Sequence, residues 1–230
     1  PMNLFETLKQ KTRNEHDYLF SSPLIVDALR GEVTRPQYVA FLREAYHHVR
    51  HTVPLLMTCG GRLSHDKEWL RGAVAHYIDD EYGHEKWILN DIEACGADPK
   101  LVSEGQPSLA TELMVSYAYD TIQRKNPASF FGMVYVLEGT SVALATQAAN
   151  TLQSQLGLPS EAFTYLQSHG SIDEDHIVFL EKLLSRFEDP QDHADIVHSA
   201  RRFFYLYAQI FRTLPDRHEA ATRPDLRDVA

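Results

Sequence analysis

The sequence predicts an all-α protein, a single-domain helical bundle of about seven or eight helices. Three observations predict it. Apolar residues recur at three- and four-residue spacing instead of alternating, the stretches between Gly and Pro breaks are long, and no repeat, low-complexity run or linker divides the chain. Its 230 residues fit one large domain, and 43% hydrophobic with 23% charged residues is ordinary for a globular chain, which excludes disordered and fibrous classes.

The elements follow in order. A first helix is expected over about 4–18 and a short one over about 23–29. Thr34 has the position of an N-cap, with Pro36 in the first turn and Gln37 at the capping-box position, opening a helix that runs through Leu42 and Val49 to Gly60-Gly61. Pro54 should kink it, since proline removes a backbone donor and crowds the preceding turn. A fourth helix is expected over about 67–94, stopped by Gly96-Ala97-Asp98-Pro99, and another over about 108–124. The most apolar stretch, 130–149, precedes Gly157-Leu158-Pro159. Two further helices, about 160–187 and 191–214, complete a domain of residues 1–214. Residues 215–230 show no periodicity and are expected to form a C-terminal tail.

Composition narrows the function. Lys and Arg total 22 against 32 Asp and Glu, a net charge of −10, so a nucleic acid partner is not expected. Two cysteines, Cys59 and Cys95, make neither a disulfide framework nor a CxxC motif. No apolar run reaches the ~20 residues of a membrane span, and residues 1–11 lack a secretory pattern. The expectation is a cytoplasmic protein without a membrane partner. Twelve histidines are more distinctive, because imidazole is the commonest metal ligand.

Acid and imidazole side chains fall at spacings that aim them together. Glu81 and His84 stand at i and i+3, sharing one helix face. His169, Asp173 and His176 stand at i, i+4 and i+7, within about 60° of one another at ~100° per residue. Glu138 is embedded in Val136-Leu137-Glu138-Gly139, where a carboxylate is costly unless paired, protonated or bound to a cation. Taken singly, each has an ordinary explanation: a solvated ion pair for Glu81–His84, a hydrogen-bonded core carboxylate for Glu138, a polar helix face for the histidine stripe. Three carboxylates and three imidazoles on three separate helices match the donor chemistry of helix-bundle di-metal sites.

Glu81-x-x-His84, a lone Glu138 on a central helix and His169-x-x-x-Asp173-x-x-His176, in that order, resemble the haem-oxygenase-like di-iron oxidase and oxygenase family, which shares its fold with TenA-type thiaminases. The resemblance covers about 4–214. It implies a haem oxygenase/TenA-like fold, two irons (or manganese or another divalent ion) bound by Glu81, His84, Glu138, His169, Asp173 and His176, and a catalytic role for Glu81 and Glu138. It further implies dioxygen activation, oxidation of a small organic substrate such as a carboxylic or amino acid, and a homodimer. Glu81, His84 and one bridging carboxylate are expected to define one metal, and His169, Asp173 and His176 the other.

Other readings of the same fold attach to other residues. Thr12-Arg13-Asn14-Glu15-His16 is similar to the segment bearing the proximal ligand of haem oxygenase, and Tyr135-Val136-Leu137-Glu138-Gly139 resembles its distal helix, but Ser141, Val142 and Ala143 stand where close approach to a porphyrin favours glycine. A TenA-type hydrolase requires a nucleophilic cysteine beside the central glutamate, and none is near Glu138. A non-catalytic ligand-binding or regulatory role is the remaining alternative. His47, His48 and His51 form a second histidine cluster near Glu44, read as an exposed face in preference to a cavity lining. Tyr46, Arg50, Tyr205 and Tyr207 are candidate substrate contacts.

Overall fold

The computed structural model describes residues 2–229, and among them every regular element is helical. The chain opens with α1 (Leu4–Lys11), α2 (Arg13–Phe20) and α3 (Pro23–Arg30). Asn3 caps α1 by accepting from the Glu6 amide, and the expected first helix divides at Thr12, whose hydroxyl donates back to the Leu8 carbonyl. α4 (Arg35–Val49) starts with the anticipated capping box: the Gln37 amide donates to Thr34 Oγ1 and the Thr34 amide to Gln37 Oε1. The helix does not merely kink before Pro54. It breaks at Arg50–His51 and resumes as α5 (Thr52–Arg62), because the proline ring crowds the carbonyl four residues back, that of Arg50.

The predicted fourth helix is likewise two, α6 (Glu68–Glu81) and α7 (Glu85–Ala94). Gly83, at φ +88°, makes the turn between them, a left-handed conformation that a side chain rarely adopts. After the short α8 (Pro99–Ser103) come α9 (Leu109–Arg124), α10 (Phe130–Leu156), α11 (Thr164–Leu184) and α12 (Pro190–Arg212). α10 is the spine of the bundle, lying along both α11 and α12. It is the helix among the described residues that is long and apolar enough, by length and composition, to cross a membrane, and most of it is buried by its neighbours. Gly170 sets the α10–α11 crossing: a Cβ there would collide with the Thr146 side chain and stand 3.1 Å from the Thr146 amide. Residues 215–229 are not a bare tail. They form α13 (Arg217–Thr222), with an Asp216/Glu219 capping box, and a 3-10 turn over Pro224–Val229. This segment packs on α4 and buries Ala220, Leu226 and Val229. Its few apolar residues are too short a run to show a period.

The core is in two parts. One cluster gathers Leu8, Leu55, Met114, Phe131, Val136, Leu180 and Phe203; the other gathers Tyr38, Leu42, Ile92, Ala149, Phe163 and Leu166. α10 and α11 pass through both, and Glu138 and Asp173 lie on the stretches of those helices between them. The fold thus holds a polar layer between two apolar ones.

Candidate metal centre

All six predicted side chains meet in that layer. Glu81 arrives at the last residue of α6, and the Gly83 turn swings His84 back so that its Nδ1 lies 3.0 Å from Glu81 Oε2. The pair is therefore brought together by a turn and not by one continuous helix face. α11 presents His169, Asp173 and His176 along one side, and α10 presents Glu138. His84 Nδ1 is 3.2 Å from His169 Nε2. His176 Nδ1 lies 3.2 Å from Asp173 Oδ1, 3.5 Å from Glu138 Oε1 and 3.7 Å from Glu81 Oε1. Five of the six residues are buried, and His169 is nearly so.

Two sets of donors have atoms within 4.8 Å of one another, Glu81 with His84 and His169, and Glu81 with Asp173 and His176. Glu81 belongs to both. This changes the expected division of ligands, in which His169 was grouped with Asp173 and His176: the α11 stripe is split, with His169 facing the Glu81–His84 turn. The reason is reach, because His169 lies one helical turn or more before its partners and so comes level with His84.

The electrostatics of the layer are unbalanced. Among the described residues no Lys or Arg forms an ion pair with Glu81, Glu138 or Asp173. Burial pushes the Glu138 carboxyl well above the ordinary carboxylate range, and the nearby Asp173 and Glu81 push it further. The Tyr77 hydroxyl, 3.5 Å away, offsets this only partly. Asp173 ends up below its usual range: burial raises it, and hydrogen bonds from His169 and His176 outweigh the burial. His176 is raised, since Asp173 and Asp80 together overcome its desolvation. The layer therefore takes up either protons or cations.

Asp80 was not among the expected functional residues. Its Oδ2 accepts from His176 Nε2 at 3.1 Å and lies 3.3 Å from His76 Nε2. A carboxylate can only accept when ionised, so whenever His176 is neutral this contact favours its proton on Nε2 and frees the Nδ1 lone pair, which faces Glu81, Asp173 and Glu138. In the sequence Asp80 reads as one more residue of the acidic run Asp79-Asp80-Glu81. His76, at i−4 to Asp80, was the available signal.

The remaining candidates resolve differently. The expected exposed face at 47–51 is wrong for His47 and His48, which are buried; His48 lines the cavity beside Glu81 and Glu138, while His51 pairs with the Tyr119 hydroxyl at 2.9 Å. α4 buries nearly its whole circumference, so polarity of the run did not mean exposure. Glu44 is engaged by the Ser108 amide and the Thr111 hydroxyl at the start of α9. Tyr207 is buried and lines the cavity, whereas Tyr205 is exposed and stacks on Tyr18. Tyr46 is buried with Arg50 over its ring. Cys59 and Cys95 are buried away from the cavities beside the cluster, and burial pushes both thiols up to about 12, so neither serves as a nucleophile there.

The model of a family described as iron-containing redox enzymes matches residues 39–208, a span that holds all six side chains. The chain belongs to the iron-containing redox enzyme family. Solved structures agree on a haem oxygenase- and TenA-like fold for this family member. A domain of unknown function with a haem oxygenase-like fold from Shewanella denitrificans superposes at TM-score 0.83, with 24% identity over 96% of each chain. A TenA homologue from P. horikoshii follows at 0.75, with 9% identity over 93% of this chain and 98% of that one. Haem oxygenase-2 from Synechocystis, solved with haem and NO, gives 0.75 at 17% identity over 96% of this chain and 88% of that one. A comparison with curated proteins finds no match.

Proposed function

We propose that this chain holds two iron ions between Glu81, Glu138, Asp173 and the three imidazoles and uses them to oxidise a small organic substrate with dioxygen. The observation that carries the proposal is the position of Glu81 between two donor sets: Oε2 faces His84 and Oε1 faces His176. A carboxylate with its two oxygens turned to different donor groups suits the bridging of two cations. The residues fit the metal. Carboxylates and imidazoles without thiolate are the donors of ferrous and manganous ions, and the buried, cation-free Glu138 needs a positive neighbour to be ionised.

Iron bound there supplies the change of oxidation state that dioxygen reduction requires. The chain's own groups do the rest. Asp80 keeps the His176 Nδ1 lone pair turned inward. Tyr77 donates toward Glu138 Oε2 and limits the directions that carboxylate can take. The two apolar clusters on either side exclude bulk water, and the cavity lined by His48, Leu137 and Tyr207 gives a substrate access to the carboxylates. A homodimer and a cytoplasmic setting belong to the same proposal. The test is oxygen uptake after anaerobic ferrous loading: uptake in proportion to bound iron supports it, and equal uptake by Glu81→Ala sinks it.

One observation favours a second reading. His16 and Gly139 line a common cavity with Tyr135 and Phe204, as a haem between first and central helices would require. Val142 and Ala143 share that wall, where a porphyrin needs closer backbone approach. Haem titration followed by absorption spectroscopy decides it, since a Soret shift lost in His16→Ala would establish haem binding.

A further inference from the structure

His84, Trp87 and Asp91 stand at i, i+3 and i+7 at the start and along one side of α7, and all three meet α11 or its first turn. The Trp87 indole stacks on the His84 ring, with centroids 4.0 Å apart and planes 20° from parallel, and stands nearly perpendicular to the His169 ring at 6.1 Å. Both imidazoles of one donor set are therefore held against a single side chain. The imidazole of the other set, His176, meets Tyr77 instead, at 5.5 Å.

Asp91 fixes the helix on which His169 is carried. α11 begins at Thr164 behind Phe163, whose side chain has no group to accept from the free amides of the first turn. Asp91, 73 residues earlier in the chain, supplies the acceptors. Its Oδ1 accepts from the Thr164 amide at 3.1 Å and from the Thr164 hydroxyl, and its Oδ2 accepts from the Tyr165 amide at 2.8 Å. Burial pushes the carboxyl up to about 6 in spite of these donors, so at pH 7.5 it is ionised and complements the positive end of α11. A fully buried carboxylate is a costly way to join two helices, since apolar side chains of similar size do so without desolvating a charge. What it adds is register. Two oxygens set against two successive amides fix the rotation and axial height of α11 relative to α7, which apolar contact leaves free to slide. His169 lies five residues past Thr164, about 7.5 Å along the axis, whereas His176 lies twelve past it, about 18 Å, beyond the close contact of Gly170 with Thr146 of α10. A shift of the α7–α11 joint is therefore felt first at His169.

We propose that Asp91 and Trp87 are positioning residues of the metal centre, which together set the separation of His84 from His169 and so tune one of the two metal positions without the other. The consequence for metal, though not the geometry of the joint, rests on the two-iron reading given above.

Two measurements on the full chain at pH 7.5 test this. In ring-proton NMR of the metal-free protein, Asp91→Ala should move the His84 and His169 signals and leave those of His176 in place, and Trp87→Leu should abolish the upfield displacement that a stacked indole imposes on His84. In a manganous titration with the free ion counted by electron paramagnetic resonance, Asp91→Ala and Trp87→Leu should each weaken one of two ions about tenfold or more and the other less than about threefold. Trp87→Phe, which keeps a stacked ring, should recover most of that loss. Ile92→Ala, which removes a buried apolar side chain from the same helix, should lower the melting temperature and leave the ratio of the two affinities unchanged. His84 and His169 signals that stay in place in Asp91→Ala, equal weakening of both ions, or a ratio shifted as far by Ile92→Ala overturns the proposal. If Asp91→Ala fails to fold, Asp91→Asn, which keeps the shape and one acceptor, is judged by the same outcomes. The two readings fail separately: histidine signals that move as described in a chain that binds no ion defeat the metal centre and leave the joint, and two ions bound alike by every variant do the reverse.

Discussion

Replacing Glu138 by Gln keeps the shape of the side chain and removes its charge. In the metal-free chain the effect on stability should be small. Burial, with Asp173 and Glu81 close by, holds the Glu138 carboxyl well above its ordinary range and so favours its protonated form, which an amide imitates. What is lost is a long hydrogen bond from Tyr77, 3.5 Å, and a 3.5 Å contact with His176. Such a bond is worth about 1 kcal/mol at most, or roughly 2–4 °C of melting temperature for a chain of this length. Metal binding should respond far more. A ligand bound at a hundred times its Kd stabilises the fold by about 2.7 kcal/mol, a rise of roughly 5–11 °C. If loss of the carboxylate weakens binding a hundredfold, the same metal concentration contributes only about 0.4 kcal/mol, a rise of roughly 1–2 °C. Scanning calorimetry of both proteins with and without manganous ion measures the four melting temperatures. An equal metal-induced rise in the variant, or a metal-free melting temperature lowered by more than about 8 °C, refutes the reasoning.

Asp80→Asn removes the acceptor that fixes the His176 proton, and metal affinity measured by chelator competition should fall about 10–100-fold, with little change in metal-free melting temperature. Glu138 and His176 both have raised pKa values, so their contribution to metal-free stability is full at low pH and is lost as pH rises through those values, while the depressed His47, His48 and His51 act the other way; the metal-free melting temperature of Glu138→Gln should therefore fall less, or rise more, between pH 6 and pH 8 than that of the unaltered chain. Asp173, which is depressed, matters only below about pH 4. Metal uptake should instead weaken as pH falls from 7 to 5, because protons compete for imidazole lone pairs, and a flat uptake profile would argue against His ligation. Leu226→Ala opens a cavity where the C-terminal segment meets α4 and should cost about 3 kcal/mol, or roughly 6–12 °C; an unchanged melting temperature would mean the segment contributes nothing.

The helical class, the order of helices and the convergence of six side chains were legible because each rests on period. His169, Asp173 and His176 lie at helical spacing on a helix that is unbroken, and Glu138 stands out against Val136 and Leu137. Where local backbone chemistry competes with period, the reading was less faithful. Glu81 and His84 have helical spacing but are joined by the Gly83 turn, and a glycine inside a periodic stretch does not reveal its φ. Asp80 was hidden because its partner, His176, is 96 residues away. His47 and His48 looked like a solvated face because polarity predicts exposure only when nothing packs over it, and α4 is covered by α7, α9 and the C-terminal segment.

The most direct measurement is an anaerobic ferrous titration of the full chain, with free and bound iron separated at each addition. Two donor sets that share Glu81 predict saturation at two ferrous ions per chain, and Glu81→Ala should lower occupancy at both positions together. Saturation at a single ion, or a Glu81→Ala variant that still takes up two, would contradict a centre built around that shared carboxylate.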